Sequence, residues 1–151
     1  MIKIICIGKI KEKYLKDAIE DYKARLSKYT KLEIIELNDE KDTDINKALE
    51  LEKTQILNKI KPKDNLVLLD IEGKEYSSIQ FSNFIERELS YNSNITFIIG
   101  SSNGLSNDIK KLTNKKISFS KLTFPHGLFR LILLEQIYRS FKIINNETYH
   151  K

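Results

Sequence analysis

The chain has 151 residues, a net charge of +5, one cysteine and no tryptophan. That length suits one domain, here residues 1–151, able to bury a core without disulfides, and the lone Cys6 has no internal partner. No stretch approaches the roughly 18 uninterrupted apolar residues of a membrane span, and Lys3 with Gly8-Lys9 denies the N-terminus a secretory core, so a soluble, reducing, cytoplasmic setting is expected.

Residues 2–7 are nearly all apolar and predict a buried strand that holds Cys6 as an inert thiol. Over 12–29, Leu15, Ile19, Tyr22, Leu26 and Tyr29 recur at helical spacing and line one face. A strand follows at 32–37. A helix over 44–60 carries Ile45, Leu49, Ile56, Leu57 and Ile60, with Pro62 at its exit. Residues 65–71 predict a third strand. Ser77-Ser78-Ile79-Gln80 has the form of a capping box opening a helix to about Leu89. A strand is expected at 95–99, a short helix from Ser106 to about 114, a fifth strand at 116–123, and a last helix from Gly127 to Ile144. This alternation predicts an α/β fold, a mostly parallel sheet with helices on both faces.

The last helix is apolar around most of its circumference, from Leu128 and Phe129 through Leu131–Leu134 to Ile143 and Ile144. One stripe covers one side of a sheet; a second apolar face needs another partner. A second copy of the chain, giving a homodimer, is favoured over burial within the same chain. The basic balance fits a phosphate-bearing partner, with Lys9, Lys11, Lys13, Lys110, Lys111, Lys115 and Lys116 as possible contacts. It fits a general lysine-rich composition equally well, since only four of the cations are arginines.

Gly8, Gly73 and Gly100 each close a predicted strand, where ligands bind parallel sheets. Residues 98–104 end a strand and precede a helix, which makes them the best pocket wall. They lack the glycine spacing of a dinucleotide fold and the Gly-Lys-Ser/Thr of a P-loop. His126 and His150 are the only histidines and no Cys/His cluster exists, so no metal is expected. Nor is there a Gly-x-Ser-x-Gly elbow for a serine nucleophile. Glu135 and Arg139, four apart, are placed to pair on one helical face.

The stretches Ile98-Ile99-Gly100-x-x-x-Gly104-Leu105, Ser118-Phe119-Ser120-x-Leu122-Thr123-x-Pro125-His126, Arg130-x-x-Leu133-x-Glu135-Gln136-x-Tyr138-Arg139 and Tyr149-His150-Lys151 together resemble the RlmH family. These are SPOUT-class methyltransferases of 23S rRNA. Ile4-x-x-Ile7-Gly8-Lys9 and Leu69-Asp70-Ile71-x-Gly73-Lys74 extend the likeness over the whole chain. Two positions depart from it: Ser101 stands where the family often has a second glycine, and Thr148 where a proline commonly precedes the Tyr-His pair.

The resemblance implies a C-terminal trefoil knot, a homodimer, and S-adenosyl-methionine held by Leu69, Gly100 and the run Phe119, Ser120, Lys121, Leu122, Thr123 and Phe124. It implies methyl transfer to N3 of a pseudouridine in 23S rRNA, with the assembled ribosome as substrate and partner. His150 is then the expected general base and Tyr149 the group that orients or stacks on the target base. Arg130 or Arg139 would stabilise charge or hold a phosphate, and His126 would be a structural or pocket-shaping residue. A tail that serves RNA docking alone is the alternative. Other SPOUT specificities, such as tRNA, and a non-catalytic RNA-binding or ribosome-associated module are the alternatives.

Overall fold

A computed structural model describes all 151 residues. In chain order the elements are β1 (Ile2–Ile7), α1 (Lys13–Leu26), β2 (Leu32–Leu37), α2 (Ile45–Leu57), β3 (Leu66–Glu75), α3 (Ser78–Asn92), β4 (Ile95–Ile99), α4 (Asn107–Lys110), β5 (Lys116–Ser118) and α5 (His126–Ile144). The five strands form one sheet in the order β2-β1-β4-β3-β5, and every pairing is parallel. The expected α/β architecture is what the chain adopts.

Alternation along the inner strands sorts side chains between two cores. Ile4, Cys6, Val67, Leu69, Phe97 and Ile99 join the larger, which α1, α3 and α5 cover. Ile5, Ile7, Leu68 and Ile98 join the smaller, with Ile56 of α2 and Ile109 of α4. Strands buried on both faces read as continuous apolar runs, as 2–7 and 95–99 do. Lys3 interrupts the first run yet is buried, and Asp64 pairs with it. Cys6 is buried, and desolvation pushes its thiol pKa up to about 11.

The Ser77–Gln80 capping box forms in full, and Ser106 caps α4 through the Ile109 N–H. Two strand boundaries differ from the sequence expectation. The fifth strand stops at Ser118 rather than 123, because Phe119 and Phe124 turn onto Phe129 of α5, at centroid distances of 5.4 and 6.4 Å. β3 continues to Glu75 past an irregularity between Leu69 and Lys74. Gly73 permits that return to the sheet: a Cβ there would lie 2.6 Å from the Ile117 nitrogen. The displaced residues 70–72 face the cavity described next.

α5 lies between α1 and α3 with Leu133, Leu134, Ile137, Tyr138 and Phe141 buried. Leu128, Leu131 and Ile132 remain partly open on its outer side. No helix is long and apolar enough to cross a membrane.

Candidate functional site

A cavity of about 700 Å³ opens at the carboxyl ends of β3, β4 and β5, where parallel sheets present ligand sites. Three stretches wall it: residues 69–72 at the irregularity within β3, 99–105 from the end of β4, and 117–125 from the end of β5. Leu69, Gly100, Phe119, Ser120, Leu122, Thr123 and Phe124 all line it; Lys121 alone of the expected cofactor set does not.

Gly100 is the floor of the second stretch. A Cβ there would lie 2.4 Å from the Gly104 carbonyl oxygen and 3.1 Å from Leu105 Cδ2. Real Cβ contacts are never so short, so the 100–105 turn folds onto a position only glycine fills. Ser101 closes the turn by accepting the Gly104 N–H on its carbonyl at 2.9 Å. Phe119, Phe124 and Phe129 supply an aromatic wall. Asp70 supplies charge: its side chain is mostly buried, and Lys110, also in the wall, lies 3.6 Å away.

Asp70, Lys110 and Phe129 had no site role in the sequence reading. Asp70 reads as the polar end of a strand, and only the bulge turns it into the cavity. Lys110 looked like a surface phosphate contact. His126, expected to shape the pocket, does line it, and Gly8 lies against its ring, with a Cβ-equivalent distance of 3.9 Å.

The expected catalytic residues do not gather at this cavity. Arg130 is buried to 2 % exposure, with Nη1 2.6 Å from Glu36 Oε2 and Nη2 donating to the Gly8 carbonyl at 2.9 Å. A guanidinium enclosed this way is held by groups of its own chain, whereas the resemblance placed it at substrate charge or a phosphate. It ties α5 to the end of β1. For Glu36, desolvation opposes ionisation, but the Ile10 N–H and Arg130 outweigh it and hold the carboxyl below its usual range.

The tail is docked. Tyr149 packs edge-on to Tyr138 at 4.9 Å and donates its hydroxyl to Glu135 at 3.1 Å. Burial, followed by the neighbouring Tyr22 hydroxyl and the Glu135 charge, pushes its phenol pKa well up. Arg139 pairs with Glu135 as its spacing predicts, lies over the Tyr149 ring, and meets His150 Nδ1 at 3.2 Å. Against a guanidinium, Nδ1 is the acceptor and Nε2 carries the proton in the neutral ring. Proton abstraction by His150 therefore requires it to leave Arg139. From Phe129, the last cavity residue on α5, to Arg139 is 10 residues of the helix, about 15 Å at 1.5 Å per residue. His150 and its own chain's cavity are apart.

A glycine-floored cleft at the strand ends of a parallel sheet defines a small-molecule-binding α/β domain. Comparison with known proteins narrows the class. The family described as "Predicted SPOUT methyltransferase" matches residues 1–150. "Ribosomal RNA large subunit methyltransferase H" of Clostridium perfringens is 52% identical, with 99% of each chain covered. The protein of that name from Caldicellulosiruptor saccharolyticus is 49% identical over 100% of both chains. Among solved structures, "a probable methylase family protein from Haemophilus influenzae Rd KW20" superposes with a TM-score of 0.56. It covers 99% of this chain and 70% of that one at 13% identity, a likeness of fold alone.

The chain belongs to the SPOUT methyltransferase family. Within it, its relatives are the large-subunit ribosomal RNA methyltransferase H proteins.

Proposed function

We propose that this protein is a cytoplasmic homodimer that methylates N3 of a pseudouridine in 23S rRNA, using S-adenosyl-methionine, on assembled ribosomes. A trefoil knot at the C-terminal end belongs to the same proposal. The observation that carries it is the convergence of 69–72, 99–105 and 117–125 on one cavity whose floor admits only glycine. The residues present fit the donor: an aromatic and apolar wall for an adenosine, turn backbone at Gly100 and 119–124, and the Asp70 carboxylate to face a cation. Bound there, S-adenosyl-methionine supplies an electrophilic methyl group on a sulfonium.

The chain's own side chains manage the proton. The N3–H of a pseudouridine is weakly acidic and has to leave before or as the nitrogen is alkylated. His150, freed from Arg139, accepts it, a contribution of about 10²–10⁴ in rate. Arg139 offsets the developing negative charge of the base, and Tyr149 orients the base or stacks on it. Because Arg139, where the tail docks, lies about 15 Å along α5 from the last residue of its own cavity, the tail that serves a cavity comes from the partner. The open Leu128, Leu131 and Ile132 face of α5 is where a second copy packs.

Mass spectrometry of rRNA from a strain lacking the gene tests the assignment. One pseudouridine of 23S rRNA is expected to lose a methyl group, and the purified protein to restore it far faster on ribosomes than on naked rRNA. A methyl lost from tRNA instead would point to another SPOUT specificity. Unchanged RNA throughout would leave a binding module.

A further inference from the structure

Ser101 occupies the place of a second glycine, and its hydroxyl has two partners. It donates to Glu52 Oε2 at 2.9 Å and accepts the Asn103 N–H at 3.3 Å. Both residues are buried, Glu52 to 2 % exposure. Glu52 belongs to α2, on the side of the sheet away from α5, and takes no part in the cavity wall. Its other oxygen accepts the Glu40 N–H at 3.4 Å. The next residue, Lys53, bonds Asp108 of α4 at 2.9 Å. Adjacent residues of one helix therefore hold both ends of the segment 101–108.

A buried carboxylate is costly to keep charged, and an apolar residue of similar volume would serve packing as well. Desolvation raises the Glu52 pKa, with Ser101 and the Glu40 N–H acting in the opposite direction. What Glu52 grips accounts for a carboxyl group at this buried position. We propose that Glu52 is a positioning residue for the methyl donor: through the Ser101 hydroxyl it fixes the 100–105 turn in the shape that receives S-adenosyl-methionine. A hydroxyl has one proton to give. Its donation to Glu52 sets the oxygen lone pairs toward Asn103, so one carboxylate orders the side-chain and backbone closures of the turn together.

The inference rests on assigning the cavity to the donor, and the test separates the two. Calorimetric titration with S-adenosyl-methionine and amide hydrogen exchange are measured, without ribosomes, on the wild type, Ser101→Ala, Glu52→Gln, Glu52→Ala and the Ser101→Ala/Glu52→Ala pair. Loss of one charge-assisted hydrogen bond is expected to raise the donor Kd about tenfold in Ser101→Ala. Exchange at Asn103 and Gly104 speeds up while β1 and β4 keep their protection, and in turnover the loss falls on KM for the donor rather than on kcat. Glu52→Ala reproduces the effect, Glu52→Gln recovers most of it because its amide oxygen still accepts, and the double variant is no worse than either single one. Wild-type affinity and exchange in Ser101→Ala, or losses that add in the double variant, would overturn the proposal. Ser101→Ala removes one oxygen and decides the matter even if Glu52→Ala does not fold. Should the wild type bind no donor, the cavity assignment fails, and the exchange rates at 103 and 104 still judge the grip of Glu52 on the turn.

Discussion

Gly100→Ala is expected to lower kcat/KM for S-adenosyl-methionine about a hundredfold, the scale of an overpacking penalty near 3 kcal/mol. The added methyl has nowhere to go. At 2.4 Å from the Gly104 oxygen it meets backbone, which cannot swing aside as a flexible side-chain end does. Either the 100–105 turn opens or β4 shifts, and β4 is fully buried between β1 and β3. The turn gives way, and with it the cavity floor. Gly104→Ala is the informative contrast. Its Cβ would meet nothing within 4 Å, but its φ of +79° disfavours an L residue, a cost of about 1 kcal/mol. A drop of a few degrees in Tm with modest loss of donor binding is expected there. Equal effects of the two substitutions, measured by donor titration and thermal unfolding, would count against a floor built on Gly100.

His150→Ala is expected to reduce single-turnover methylation of saturating ribosomes about a hundredfold, the low end of what a lost general base costs. Donor affinity should stay within about twofold, since the docked tail touches Glu135, Tyr138 and Arg139 and no wall of its own cavity. Mixing inactive variants separates the two possible deliveries. A hybrid of one Gly100→Ala protomer with one His150→Ala protomer has one site with both groups intact if tails cross the dimer. It has none if each tail serves its own chain. Recovery of about half the wild-type activity is therefore expected. No recovery would place the tail in its own cavity, and an unaffected single variant would remove His150 from proton transfer.

The strands at 2–7, 32–37 and 95–99 were legible to the residue because β-branched and apolar side chains dominate each, with Lys3, Glu33 and Glu36 as the only charged interruptions. Caps at Ser77 and Ser106 were legible because capping chemistry is local. Over 119–123 the pattern misled, imitating a strand where Phe119 and Phe124 pack on Phe129; their place at the cavity came from the resemblance and not from the pattern. Asp70 stayed hidden because a bulge, not a pattern, turns it inward. Glu52 carries no local signal, because the partner it meets in the fold, Ser101, is 49 positions away. Arg130 carried a substrate role from the resemblance, and the partner it meets in the fold, Glu36, lies 94 positions earlier. The Tyr149-His150 pair was visible as a motif, but no local pattern encodes whether it serves its own cavity or a partner's.

The central claim is that three strand-terminal stretches form one receptor for the methyl donor. Titrating isotopically labelled protein with S-adenosyl-methionine and following each backbone amide by NMR tests it directly. The largest shifts are expected at 69–73, 100–105 and 118–124, moving together with a single Kd. Shifts confined to one stretch, shifts elsewhere, or none at millimolar donor would contradict it.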